Sequence, residues 1–382
     1  MVTPHIPPHQ SANAILPQFL ADRLRAENHK VSFIVPESAI DTDRNNGNHL
    51  LTSVDMSRNR NNILINKLKL DFFKTFINTY PIIKKRLRDV DLVHLHSNSL
   101  LHQITAFAAE RLDIPTVLTH YGTEIWHYKP KRINFLDPFY YMNKASDYVT
   151  YYSRGLMNYS FELGIVPDKP LTIYPPADDN FRKSKENERK KLRKELNIRS
   201  KNVLINVKRL HPLGGHEYLL QAMPYILKEF PDTHLYICGS GKLRSFLEEL
   251  TDELKINNNV TFAGLIDNES ISKYYSAADV YVLTSILEAL PTVAVEALAC
   301  GTPVVITDTP GGKELADLFI SEDLKLVPMR NPVEIASAVC RVLEKKQRTG
   351  KDTEDIIEKN FRPGVVFKKY MDIYSEALEG IK

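Results

Sequence analysis

Two glutamates with seven residues between them, Glu288 and Glu296, bracket a predicted helix start in Ser285–Pro303, SILEALPTVAVEALACGTP. Pro291 suits a first helical turn, where its missing N–H would have no partner anyway, so the helix is predicted from about Pro291 to Cys300. Gly301 fits the left-handed position after the last turn, and Pro303 forbids continuation. A helix start carries unpaired N–H groups and roughly half a positive charge, which makes it a seat for a diphosphate. Glu288 stands just before that start; Glu296 lies about one turn inside, on the face shared with Thr292. Carboxylates on either side of such a seat can accept hydrogen bonds from vicinal hydroxyls of one ligand. The plainer reading, acidic residues near the favourable end of an ordinary helix, explains the same residues equally well on physics alone.

The elements around this stretch are those of parallel α/β sheets, with short β-branched runs alternating with helical segments. In the first half the predicted strands are Val31–Val35, Leu92–His96, Pro115–His120 and Asp147–Ser153, with a helix over Ala12–Glu27. Met1–Thr3 would be an opening strand; it is short for a central one, which leaves a misassigned start codon or a few missing residues as alternative accounts. In the second half VLINVK, HLYICG, VTFAG, VYVLTS and PVVIT are near-continuous apolar runs, as in a sheet covered on both faces. The VYVLT strand runs straight into the Glu288 loop, which places the candidate site at a strand's carboxyl end, where open α/β sheets bind ligands. Tyr174-Pro175-Pro176 interrupts regular structure and puts a domain junction near residues 174–180. The charged stretch Arg182–Asn197 that follows reads as a solvated helix. Val365, Tyr370, Ile373, Tyr374 and Leu378 form one apolar face of a terminal helix.

At 382 residues the chain is long enough for two α/β domains, and its 43% apolar and 25% charged residues suit a globular protein. Lysine plus arginine number 50 against 47 acidic residues, so no nucleic-acid partner is expected. Cys238, Cys300 and Cys340 form no CxxC pair and are expected to be free thiols in a reducing compartment. No apolar run reaches the roughly 18–20 residues that span a bilayer, and MVTPHIPPHQ has neither the basic start nor the apolar core of a signal peptide. A cytoplasmic protein is expected.

EALPTVAVEALACGTPVV resembles the signature of the family 4 retaining glycosyltransferases, which have the two-domain GT-B fold. The resemblance runs along nearly the whole chain: MVTPHIPP, DLVHLHS and TVLTHYGTE in the first half, YPPADDNF at the junction, CGSG and VTFAG in the second. It implies two Rossmann-like domains facing across a cleft, residues 1–174 for the acceptor and 175–362 for the nucleotide-sugar donor. Residues 363–382 would be a helix crossing back onto the first domain. It further implies a retaining hexosyltransferase that takes a sugar from a nucleoside diphosphate, most often UDP, to an acceptor hydroxyl on a saccharide, a lipid-linked glycan or a small molecule.

By the same resemblance Glu296 holds the ribose hydroxyls, Glu288 the transferred sugar, and the backbone of Leu290, Pro291, Thr292 and Val293 the diphosphate. Arg209 would neutralise that diphosphate, and His120 would contact the sugar, the plainer account being a buried histidine at a strand end. Gly239 and Gly241 would let backbone approach the ligand, although a plain turn explains them equally well. Thr307–Gly312, TDTPGG, would form a further loop beneath the diphosphate. His94 and His96 are read as core or rim positions. No cofactor and no metal is expected, because helix start and arginine do the neutralising. A front-face reaction, with the leaving phosphate helping to deprotonate the acceptor, is favoured over double displacement.

Two departures stand out. The family's lysine in an RLxxxKG context is here Gly214, within Arg209-Leu210-His211-Pro212-Leu213-Gly214-Gly215. Losing a charge-assisted hydrogen bond costs roughly 1.5–3 kcal/mol unless something substitutes. Lys208, expected on the opposite strand face from Arg209, and His216, near the next helix start, are the candidates. In the first half Ser11-Ala12 stands where the family carries Gly-Gly. These departures keep alive the reading of a non-catalytic binding subunit. A nucleotide-sugar epimerase on the same fold is a second rival, against which the Glu288–Glu296 context and the His120 setting speak. Residues 67–88 interleave Lys67, Lys74, Lys84, Lys85, Arg86 and Arg88 with Phe72, Phe73 and Phe76. With Lys129–Arg132 they suggest peripheral contact with an anionic membrane. A domain helix with core phenylalanines is the simpler account.

Overall fold

The computed structural model describes residues 1–7, 11–39, 50–54, 56, 70–130, 137–320 and 322–380, the side chains of 50–52, 70–73 and 268 apart. It divides into two compact units, Met1–Ile173 with Phe367–Lys382, and Tyr174–Val366.

In the first unit β1 (Ser32–Pro36) pairs with β2 (Leu50–Val54), while β3 (Val93–His96), β4 (Thr116–His120), β5 (Tyr148–Tyr151) and β6 (Pro170–Thr172) form a second run; all pairings are parallel. Val2 joins the two runs by parallel bridges to Ile34 and Leu95, so the opening stub is the middle of the sheet. Its burial is nearly complete, and Val2 N donates to His94 O at 2.8 Å while His96 N donates to Val2 O at 2.8 Å. The helix Ala12–Ala26 follows, close to its predicted span. β2 and β6 went unpredicted. Both are sheet edges, and β6 opens on a proline, which an edge tolerates and a central strand does not.

The helix Pro363–Glu379 belongs to the second unit up to Val366 and to the first from Phe367. Its first-unit part lies over the sheet: the Tyr374 hydroxyl is 2.7 Å from His94 Nδ1, and the Tyr148 hydroxyl donates to Glu376 at 2.8 Å. Val366 and Phe367 are buried while Leu378 is 41% exposed, so the apolar face sits slightly off the predicted one.

The second unit holds β7 (Asn202–Val207), β8 (Thr233–Cys238), β9 (Val260–Gly264), β10 (Val280–Leu283), β11 (Val304–Thr307) and β12 (Leu324–Val327). They form one parallel sheet in the order β12-β11-β10-β7-β8-β9. Every residue of β10 and β11 is buried, as strands covered on both faces require. β12 was missed because Lys325 interrupts its short apolar run, and at this sheet edge Lys325 and Leu326 are partly exposed. The chain builds outward from β7 in one direction and from β10 in the other. The connections leaving these two neighbours therefore diverge and open a crevice at their carboxyl ends. The charged helix Glu186–Glu195 is more than a solvated face: Arg193 donates to Asp279 Oδ2 at 2.7 Å, Arg189 pairs with Oδ1, and Val203 N donates to Oδ2 at 2.7 Å. That carboxylate ties the helix to the first residues of β7 and the start of β10.

No helix among the described residues is long and apolar enough to cross a membrane. In the helix Leu70–Arg86, Phe76 stacks on Tyr80 with centroids 5.4 Å apart and meets Phe107 edge-on at 5.5 Å. It is therefore partly buried and packs against the core, as the simpler account of this helix has it. Lys74, Lys85, Arg86 and Arg88 are exposed, Ile77 and Ile82 among them; Lys67, Lys131, Arg132 and the side chains of Phe72 and Phe73 lie outside the described residues.

Candidate functional site

The crevice between β7 and β10 is built by three loops that lock into one another. Ile286 N donates to Leu213 O at 2.9 Å, joining the loop after β10 to the loop after β7. Gly311 N donates to Glu288 O at 2.9 Å, joining in the Thr307–Gly312 turn after β11. These bonds fix the loop that leads into the predicted helix start. The helix itself runs Thr292–Ala299, with Pro291 extended at its N-cap and no side chain capping it. Leu290 and Pro291 are buried beneath it and Thr292 and Val293 partly exposed. The first N–H groups, those of Thr292 and Val293, receive no side-chain cap and are available to an anion.

Glu296 lies on this helix, and its Oε2 accepts from the Tyr275 hydroxyl at 3.0 Å. Burial pushes its carboxyl up to about 7; the tyrosine bond acts against this, and the Asp178 carboxylate adds to it. Glu288 is nearly enclosed and forms an ion pair with Lys208, whose ammonium reaches its Oε1. This corrects the expectation for Lys208. β7 ends at Val207, so the alternation of a strand no longer governs the next residue, and Lys208 turns into the crevice toward Glu288. Arg209 follows at the same strand end, exposed, with its side chain unpaired among the described residues.

Gly239 and Gly241 follow β8, and their constraint comes from the protein's own chain. A Cβ on Gly239 would stand 2.0 Å from Lys208 O, and one on Gly241 2.2 Å from Leu210 O. Leu210 N donates to Ser240 O at 3.0 Å across this contact. The two glycines thus let one loop lie directly on another, and the backbone they press against is that of Lys208–Leu210, which carries the cations. Sequence spacing shows that small residues stand there, but not which backbone comes close.

His216 opens the helix His216–Glu229. Its ring is 0% exposed and neither nitrogen makes a hydrogen bond of ordinary geometry. Burial, and after it the charge of Lys208, lowers the imidazole to about 4, so it is neutral near pH 7.

In the first unit His120 ends β4, fully buried. Its Nε2 is 2.8 Å from Asn143 Oδ1, and its Nδ1 is 3.5 Å from Glu124 Oε1. Burial acts to raise Glu124, but the contacts with His120 and the Tyr121 N–H, at 2.5 Å, outweigh it and hold the carboxyl below its ordinary value. The ring is thus held inside its own unit. His94 uses both nitrogens, on Tyr374 and on Thr119 at 2.8 Å; His96 uses Nδ1 on the Tyr121 hydroxyl at 2.8 Å and leaves Nε2 without a partner. Burial holds both imidazoles well below the ordinary range.

Known proteins align with this architecture. Residues 188–362 match the family described as glycosyl transferases group 1, and residues 18–181 match glycosyltransferase family 4. An uncharacterised glycosyltransferase of Methanocaldococcus jannaschii is 34% identical over 46% of this chain and 45% of its own. N-acetyl-alpha-D-glucosaminyl L-malate synthase of Bacillus anthracis is 26% identical over 77% of each chain. The chain spans about half the length of curated relatives that it matches. Among solved structures, Anabaena HepE in complex with UDP superposes over 98% of this chain and 99% of its own, with a TM-score of 0.74 at 17% identity. That likeness shows the GT-B fold. With both halves matched by glycosyltransferase models and a GT-B fold beneath them, the chain belongs to the family 4, group 1 type of glycosyltransferases.

Proposed function

We propose that the protein is a retaining hexosyltransferase that moves a sugar from a nucleoside diphosphate, UDP in the first instance, to an acceptor hydroxyl. The observation that carries this reading is the arrangement at the β7–β10 crevice. An uncapped helix start stands between Glu288 and Glu296, with Lys208 and Arg209 on the adjoining strand end. The N–H groups and cations suit a diphosphate, Glu296 suits a ribose, and Glu288 suits the sugar. Among relatives, HepE is solved with UDP and with UDP and glucose, which favours UDP as the first donor to try.

In this mechanism the diphosphate leaves with its developing charge held by Arg209, the Thr292 and Val293 N–H groups and the helix start. One of its oxygens takes the proton from the acceptor hydroxyl attacking on the same face, and the anomeric configuration is kept. Ionised Glu296 accepts from the ribose hydroxyls and Glu288 fixes the sugar. His120 orients the end of β4, the strand of the acceptor-side unit, through Asn143 and Glu124.

Incubation of the purified protein with UDP-, GDP- and ADP-sugars, recording thermal shift and nucleoside diphosphate release, tests this. One donor should stabilise the protein, Glu296→Ala should abolish that stabilisation, and Glu288→Ala should bind donor without turnover. The absence of a response to any donor would sink the reading. Release of a free epimerised sugar without acceptor would convert it to an epimerase.

A further inference from the structure

The lysine that the family carries at the sixth position of its RLxxxKG segment is Gly214 here, and the structure shows why no side chain fits. A Cβ at 214 would stand 2.4 Å from Cε1 and 2.7 Å from Nδ1 of the buried His216 ring, and 3.3 Å from Arg209 O. Imidazole occupies the space through which a lysine stem would leave. His216 does not replace the missing charge, since its enclosed ring is neutral and sits beside a cation already present.

That cation is Lys208. We propose that Lys208 supplies the second positive charge on the donor's diphosphate, with Glu288 as its resting partner, a proposal that rests on the donor-site reading above. Lys208 stands one residue before Arg209 at the end of β7, and its ammonium reaches the loop that leads into the uncapped helix start. Its backbone is fixed there by Gly239, which packs directly against the Lys208 carbonyl, and by the bond from Lys208 N to Cys238 O at 3.0 Å. The side chain alone is left to move, on a flexible four-carbon stem. An ammonium has three donors, so it can turn from carboxylate to phosphate oxygen while keeping part of its first contact. The exchange couples two events. As the diphosphate draws Lys208 away, Glu288 loses its internal partner and becomes free to accept from sugar hydroxyls. With no donor bound, the pair keeps Glu288 satisfied in a nearly enclosed place, where an unpartnered carboxylate is costly.

Calorimetric titration of the full chain with UDP, UMP, GDP and GMP tests this. The wild type should bind one diphosphate, and Lys208→Ala should lower the ratio of diphosphate to monophosphate affinity by about 10- to 100-fold, the range of one charge-assisted bond. Lys208→Arg should keep affinity within about threefold. Moving the lysine back, in Lys208→Ala/Gly214→Lys/His216→Ala, should recover about tenfold or more, which a merely structural role for Lys208 would not produce. An unchanged affinity ratio in a Lys208→Ala protein with wild-type circular dichroism overturns the proposal. A wild type with no affinity for either diphosphate overturns instead the donor-site reading beneath it.

Discussion

The Tyr275 hydroxyl donates to Glu296 Oε2 at 3.0 Å from the helix Asn268–Ala277, and this bond favours the charged form of a carboxyl that burial pushes up to about 7. Only the ionised carboxylate can accept from both hydroxyls of a ribose. Donor affinity should therefore rise with pH and level off above about 7. Tyr275→Phe removes the one bond that lowers the pKa, so the midpoint should move to higher pH; titrations between pH 5.5 and 9 check it. A midpoint unchanged by Tyr275→Phe would show that Glu296 does not set the profile.

The same group bears on stability. A carboxyl whose folded pKa lies above its unfolded one binds more protons in the folded state between the two values. Stability from this group is thus present at low pH and declines as pH rises from about 4.5 through about 7. Glu296→Gln should leave stability nearly unchanged at pH 4.5 and raise it by roughly 1–2 kcal/mol at pH 8, after allowance for partial exposure. Urea unfolding at the two pH values measures the difference. A stabilised but donor-blind Glu296→Gln protein would mark a site held at some expense to the fold.

Glu288→Gln separates binding from transfer. The amide cannot hold Lys208 as the carboxylate does, so the ammonium should be freer for phosphate and nucleoside diphosphate affinity should rise about two- to fivefold. Turnover should fall by about 100-fold or more, because a positioned hydrogen bond to the sugar is lost. Calorimetry and a diphosphate-release assay on one preparation give both numbers. Weaker binding with intact turnover would reverse the roles assigned to Glu288.

Much of this site could be read from residue types. The Glu288 and Glu296 pair, the proline before the helix and the glycine after it are local signals, and Gly301 does take a positive φ of 83°. β10 and β11 were plain because strands buried on both faces are apolar throughout. What escaped depends on distance in space. The Lys208–Glu288 pair was hidden because strand alternation was carried one residue past the end of β7. The Arg189 and Arg193 contacts with Asp279 bring together residues some 90 positions apart, and a charged run gives no sign of its partner. Gly214 read as a missing lysine, while the structure makes it half of a packed pair with His216. A ring folding back over a residue two places earlier leaves no periodic trace.

The pair makes its own prediction. Gly214→Ala puts a methyl 2.4 Å from a fully buried ring, and overpacking of this kind costs roughly 1–3 kcal/mol. His216→Ala removes the ring, so the double variant should be more stable than Gly214→Ala alone by about 1 kcal/mol or more, a coupling that a double-mutant cycle reads directly. Additive effects would mean the two positions do not constrain each other.

His120 and Glu124 give the test in the first unit. Asn143 Nδ2 donates to Phe139 O at 2.9 Å, which turns its Oδ1 toward His120 and makes His120 Nε2 the donor. His120 Nδ1 then faces the Glu124 carboxylate at 3.5 Å. Glu124 is held below its ordinary pKa, so its contribution to stability is present above that value and is lost as pH falls through the lowered one. Glu124→Gln should therefore be destabilising by roughly 1–3 kcal/mol at pH 7, as for removal of one partner from a buried charged hydrogen bond. Toward pH 3 the gap to wild type should close, because protonation leaves the wild type no better off than the amide. Thermal unfolding across that range follows the gap. A constant difference at every pH would show that shape, and not the charge shared with His120, is what Glu124 contributes.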